Sequence, residues 1–103
     1  MYVAIRLYDG VKSPDEAAAK VRMEFLPVIS KIPGFQEYYA IKTGDGTMAS
    51  ISVFKDKPGA DVSVQAATKW VQKNLSQFLP NPPKVISGET VAHTSTGTKR
   101  AAA

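Results

Sequence analysis

Few side chains of this sequence are candidates for a catalytic role. His93 is the only histidine, the side-chain type whose ordinary pKa lies near neutral pH, so it is a candidate general base. Arg6 is the second catalytic candidate, because its fork of donors suits an acidic or phenolate oxygen of a ligand. Simpler roles stay open for both. His93 ends the last predicted strand beside a polar tail, and Arg6 could form a cross-strand ion pair with Glu89.

Aromatic residues supply the other candidates for binding a ligand. Trp70 lies on the flank of a predicted helix, where it could stack on a flat aromatic compound or simply close the rim of the core. Asn74 follows one turn later. Tyr38 and Tyr39 are adjacent in a predicted strand and point to opposite faces, so at least one of them serves packing or dimer contact. The predicted ligand-binding set is Arg6, Tyr38, Tyr39, Trp70 and Asn74.

Several kinds of site are disfavoured by the residues present. The chain has no cysteine, and its single histidine has no Asp or Glu at ligand spacing, so we predict no metal site. Ser50 and Ser52 have no evident partner base, which argues against a nucleophilic serine. The turn at residues 44–47 has no following Gly-Lys and opens no helix, so it is not a phosphate loop. We predict no cofactor.

Charge and hydropathy limit the kinds of partner that this protein is expected to have. The 103 residues carry a net charge of +4, but two of the basic residues, Lys99 and Arg100, lie in the tail. The remainder is not a clustered basic surface, so nucleic-acid binding is not expected. No apolar run reaches the roughly 18 residues of a membrane span, and the first residues do not resemble a secretory signal. Without cysteines, the composition suits a reducing compartment, and we predict a cytoplasmic protein.

Apolar periodicity predicts six elements. Alternation predicts strands over residues 2–8, 35–43, 47–54 and 85–93. Helical spacing predicts one helix that begins after Ser13, with a capping box to Glu16 and an interruption at Pro27, and a second over residues 60–78. Residues 1–93 form one predicted domain, and residues 94–103 a flexible polar tail.

The order strand, helix, strand, strand, helix, strand predicts an α+β, ferredoxin-like βαββαβ fold. Its four-stranded antiparallel sheet has the first and third strands at the centre and both helices on one face. The other face is expected to be apolar as well, carrying all or part of the set given below. A second copy would cover it economically, so we predict a homodimer. The expected set is Tyr2, Ala4, Tyr8, Met48 and Phe54.

Three segments together with this order resemble the dimeric α+β barrel superfamily, and within it the antibiotic biosynthesis monooxygenase-like proteins. The segments are residues 32–39 (IPGFQEYY), 49–56 (ASISVFKD) and 79–83 (LPNPP), and the resemblance covers residues 2–93. It implies a small aromatic or quinone-like ligand bound between sheet and helices, and oxidation of that ligand without a cofactor.

The carry-over of the family's functional residues is small. Phe54 and Asp56 match the aromatic residue and acid that follow strand three in the monooxygenases, but residues 60–70 lack their histidine. Haem degradation is disfavoured. The haem-degrading branch has an Asn in strand one and a His in helix two, whereas this sequence has Arg6 in strand one and no histidine in helix two, where only Trp70 resembles that site. The alternative to a monooxygenase is a non-catalytic ligand-binding or stress-associated dimer.

Overall fold

Four strands form one antiparallel sheet in the computed structural model, which describes residues 1–96. The spatial order is β2-β3-β1-β4, so β1 and β3 are central as predicted. The ferredoxin-like α+β fold is confirmed. The part of the predicted tail from residue 97 onward lies outside the described residues. The strands are β1 (Tyr2–Tyr8), β2 (Phe35–Gly44), β3 (Thr47–Phe54) and β4 (Lys84–Glu89).

The first helical region has three parts: α1 (Pro14–Lys20), a π-helical segment (Val21–Phe25) and α2 (Leu26–Ile29). The π-helical segment ends at Phe25, two residues before Pro27. Because Pro27 has no N–H to donate to the preceding turn, the predicted interruption is present. The predicted capping box is wrong. Ser13 precedes α1, but its φ is 50° and its side chain makes no capping hydrogen bond.

The second helical region is α3 (Lys57–Asn74), which begins and ends earlier than predicted. It begins earlier because the Asp56 carboxylate accepts a hydrogen bond from the Gly59 N–H at 3.3 Å and caps the helix. β4 stops at Glu89 rather than at residue 93, because Glu89 pairs with Tyr2, the first residue of its partner β1. Beyond that pair, only the Met1 carbonyl remains as an acceptor, and the Thr90 N–H donates to it. None of the described helices is long and apolar enough to cross a membrane.

The two faces of the sheet carry the opposite residue sets from those expected. Tyr2, Ala4, Tyr8, Met48 and Phe54 belong to the alternation set that faces the helices, and four of the five are buried there. The expectation that they would form the uncovered face is wrong, because alternation alone cannot tell which of its two sets the helices cover. The uncovered face is still apolar; in β1, β2, β3 and β4 it carries Val3, Ile5, Leu7, Tyr39, Ile41, Ile51 and Ile86.

The core between helices and sheet consists of two adjoining clusters. One surrounds Tyr8, Met48 and Leu75 at the end of the sheet where β1 finishes. The other surrounds Phe25 and Phe54, where the π-helical segment and α3 meet β3. Trp70 packs against both clusters, so α3 places this side chain at their junction.

Candidate functional site

A cavity lies between the sheet and the helices at the junction of the two core clusters. The empty space between its walls amounts to about 430 Å³, part of it open to solvent, and only a small part is wide enough for a water molecule. A flat ring would therefore have to move the walls apart. We call this space the aromatic cavity. Its lining includes Arg6, Tyr8, Val21, Phe25, Tyr38, Met48, Ser50, Trp70 and Leu75.

Aromatic rings form one side of the aromatic cavity. Phe25, which the π-helical segment holds over the sheet, lies 5.1 Å from Trp70 and 5.5 Å from Tyr38 between ring centroids. The Phe25–Tyr38 contact is edge-on and the Phe25–Trp70 contact is tilted, as expected for favourable aromatic pairs. The three rings belong to three different elements, so their contacts fix the spacing between helices and sheet.

Arg6 lies on the sheet floor of the aromatic cavity with 1% of its surface exposed. Its Nε donates to the Ser50 hydroxyl at 2.9 Å, and its Nη2 donates to the Ser52 hydroxyl at 2.8 Å. The predicted ion pair with Glu89 is wrong, because Glu89 lies opposite Tyr2, four residues along β1, whereas Arg6 lies opposite Val85. Two short polar side chains on β3 thus hold the guanidinium in place.

Two phenols accompany Arg6 in the aromatic cavity. Burial is the largest effect on Tyr8 and on Tyr38, and it raises the pKa of both hydroxyls above the ordinary value of 10.0. The charge of Arg6 acts in the opposite direction and lowers each pKa, but by less. Ser50 also lowers the pKa of Tyr38 through a hydrogen bond. Both phenols are therefore protonated at neutral pH and can donate hydrogen bonds.

We expect the free energy of unfolding to fall as the pH rises above about 10, the ordinary tyrosine pKa. Above that pH the unfolded chain releases the protons of Tyr8 and Tyr38, whereas the folded chain retains them, so their stabilising contribution is lost as the pH approaches the raised folded pKa. Urea unfolding at a series of alkaline pH values, with tyrosinate absorbance, measures this. The double variant Tyr8→Phe, Tyr38→Phe should show a flatter decline; an equally steep one would contradict the assignment.

The structure brings together three of the candidate residues and leaves the others apart. Arg6, Tyr38 and Trp70 line the aromatic cavity. Tyr39 points to the uncovered sheet face, where its hydroxyl donates to Glu37. Asn74 donates to the Trp70 carbonyl at 3.0 Å and supports α3 without lining the cavity. His93 is exposed beyond the end of β4, and it too is absent from the lining.

Sequence reasoning missed Tyr8, Phe25 and Ser50 as residues of the site. Tyr8 stands two residues after Arg6 in β1 and so shares its face, a relation that identifies it once Arg6 is a candidate. Ser50 stands opposite Arg6 in the pairing of β1 with β3. The helical spacing of Phe25 predicts only a core residue, and nothing in the sequence indicates that the π-helical segment turns its ring towards Trp70 and Tyr38.

The described residues hold no group of three or more acidic or histidine side chains that could bind a metal ion. The residues that line the aromatic cavity include no carboxylate and no imidazole. What the lining offers is a cation, two phenols, a serine hydroxyl and aromatic faces. These groups can bind and orient a flat ligand that has an oxygen at one end.

Solved structures with the same fold were found, although no protein-family model matches the chain and no curated protein matches it in sequence. A protein of unknown function from Nitrosomonas europaea is 24% identical over 93% of this chain and 95% of its own, with a TM-score of 0.69. A monooxygenase from Streptomyces coelicolor, solved in complex with nanaomycin D, is 17% identical over 93% and 92%, with a TM-score of 0.72.

A putative antibiotic biosynthesis monooxygenase, also from Nitrosomonas europaea, is 18% identical over 89% of this chain and all of its own, with a TM-score of 0.67. At these identities the similarity concerns the fold. It confirms that the chain has the architecture of the antibiotic biosynthesis monooxygenase-like proteins, as the sequence resemblance implied.

Proposed function

We propose that this protein binds a small aromatic or quinone-like compound in the aromatic cavity, and that it does so as a cytoplasmic homodimer. The observation that supports the ligand is the composition of the cavity walls: aromatic faces of Phe25 and Trp70 on one side, and the donors of Arg6 and Tyr38 at the floor. A flat ring can stack on the former while its oxygen accepts hydrogen bonds from the latter. A protein with the same fold has been solved in complex with a ligand, nanaomycin D, which supports ligand binding by this fold.

The homodimer rests on the uncovered sheet face. Leu7, Ile41 and Ile86 lie on three strands of this face, and each leaves two-fifths or more of its surface exposed. Apolar area of this extent favours association, since burial contributes about 25 cal/mol per Å². A second copy presents the same surface, so a two-fold arrangement covers both faces at once. The helices then lie outside, and each subunit keeps its own cavity.

The first candidate activity is oxidation of the bound compound without a cofactor. The oxidation would convert a ring CH₂ group and dioxygen to a ring carbonyl and water, with dioxygen as the oxidant. The second candidate is binding without turnover, which is favoured by the lack of a carboxylate or imidazole along the cavity to remove the substrate's proton. Oxygen uptake with a panel of anthrones and quinols, together with product masses, distinguishes the two.

Ligand binding can be followed through Trp70, because it is the only tryptophan of the chain and lines the aromatic cavity. We expect 2-hydroxy-1,4-naphthoquinone to quench its fluorescence with saturation at micromolar concentrations. The chain has no cysteine, so no thiol adduct complicates the titration. Free N-acetyltryptophanamide controls for absorbance and collisional quenching. Ala40→Phe, which places a ring at an exposed position of the cavity lining, should weaken saturable quenching about tenfold or more.

Failure of this proposal has a clear signature. If 2-hydroxy-1,4-naphthoquinone quenches wild-type protein only as it quenches free N-acetyltryptophanamide, linearly and without saturation, the aromatic cavity does not bind such rings. Equal saturable quenching of wild type and Ala40→Phe would place the bound ring elsewhere on the molecule.

A further inference from the structure

The guanidinium of Arg6 is only partly satisfied by hydrogen bonds of good geometry. Its Nε and Nη2 donate to Ser50 and Ser52, whereas its Nη1 is buried without such a partner, and the neighbouring Tyr8 and Tyr38 hydroxyls interact with the guanidinium as a whole. A guanidinium stays charged in proteins and offers five N–H groups in a fixed plane. A buried donor without a well-formed hydrogen bond is unfavourable, and more so on a charged group, so this nitrogen is suited to receive an acceptor from a ligand.

The charge of Arg6 is also uncompensated among the described residues. Its two acceptors are neutral hydroxyls, and the three ion pairs of residues 1–96 involve lysines on the surface. The phenols of Tyr8 and Tyr38 next to it are neutral at neutral pH, for the reasons given above. A buried cation without a counter-charge is unfavourable unless an anion joins it. The aromatic cavity, which Arg6 lines, is the space from which such an anion could approach.

We propose that the ligand of the aromatic cavity is an anion: a flat aromatic compound whose carboxylate, enolate or phenolate oxygen is received by Nη1 of Arg6. This inference rests on the proposed function and narrows its ligand class. The ring lies against Phe25 and Trp70, and the hydroxyls of Tyr8 and Tyr38 are close enough to the guanidinium to donate to the same oxygen or its neighbour.

A neutral quinone does not satisfy this site equally well. Its carbonyl oxygen can accept from Nη1, but it leaves the positive charge without a counterion. Hydrogen bonds between two charged groups are roughly twice as strong as those between neutral groups, and the low polarity of the cavity walls increases the difference. An anionic ligand has also lost its proton before binding. The cavity therefore needs no carboxylate or imidazole to act as a general base on it.

The test uses two ligands of the same shape and different charge. 2-Hydroxy-1,4-naphthoquinone is an anion at neutral pH, and 2-methoxy-1,4-naphthoquinone is neutral. We expect the anion to quench Trp70 with a Kd at least about tenfold lower than that of the methyl ether. In Arg6→Met the preference should fall to about onefold, whereas Arg22→Met, which removes an exposed arginine outside the cavity lining, should retain it. Circular dichroism confirms that each variant is folded.

The outcomes separate this inference from the proposed function. Equal affinities for the two compounds in wild-type protein would overturn the anion inference and leave the aromatic ligand in place. Absence of saturable quenching by both would remove both proposals. If Arg6→Met does not fold, the wild-type comparison decides, and Arg6→Lys, which keeps a charge but loses the fork, should show an intermediate preference.

Discussion

Phe54→Ala is expected to lower the free energy of unfolding by about 3–5 kcal/mol, the range for a buried phenylalanine reduced to alanine. Phe54 has no exposed surface, and its ring stands edge-on to Phe35 at 5.7 Å between centroids. A typical domain has only about 5–15 kcal/mol of stability, so the variant should be close to unfolding at physiological temperature. Urea unfolding followed by circular dichroism gives the difference.

Two further variants sharpen this result. Met23→Ala shortens an apolar side chain that is 76% exposed, and it should change stability by no more than about 0.5 kcal/mol. Gly59→Ala tests the contact itself, because a Cβ at residue 59 would lie 2.7 Å from the Phe54 ring. It should cost about 1–3 kcal/mol in wild type and less in Phe54→Ala. If the two losses of stability are strictly additive, the Phe54 ring does not constrain residue 59. The constraint would then come from the Pro33 carbonyl oxygen, which would lie 2.9 Å from the added Cβ.

The strands were largely predictable from the sequence because each has a local signal. The bounds of β1 and β3 agree with the alternation of their residues and with the turns after them. The ends of α3 and β4 were not predictable from periodicity. The first depends on the Asp56 cap, and the second depends on where the neighbouring strand β1 runs out of residues.

The candidate site was predictable only where one residue could be judged by its own chemistry. Arg6 is a candidate because its fork of donors suits a ligand oxygen, and Trp70 because its ring can stack on a flat compound; both line the aromatic cavity. The partners of Arg6 depend on strand register, which pairs it with Ser50 on β3 and places Glu89 opposite Tyr2. Register is a property of the assembled sheet, and it also decides which alternation set the helices cover.

The uncovered sheet face leads to the second large expected effect, a change of oligomeric state. Wild-type protein should sediment as a dimer at micromolar concentration. Ile41→Lys and Ile86→Lys, on the two edge strands of this face, should each give a monomer, because the dimer would have to bury the added charge without a partner. In the monomer both positions are nearly half exposed, so the lysine can reach water and the fold should be retained.

Val62→Lys is the matched control for this experiment. Val62 is 48% exposed, close to the 45% of Ile41, but it lies on α3 and not on the sheet. The added charge is the same, so it should leave the dimer intact if the sheet face is the interface. A wild-type monomer would exclude the proposed assembly outright. Dissociation of Val62→Lys, with Ile41→Lys still dimeric, would instead place the interface on the helical side, where a partner would cover α3.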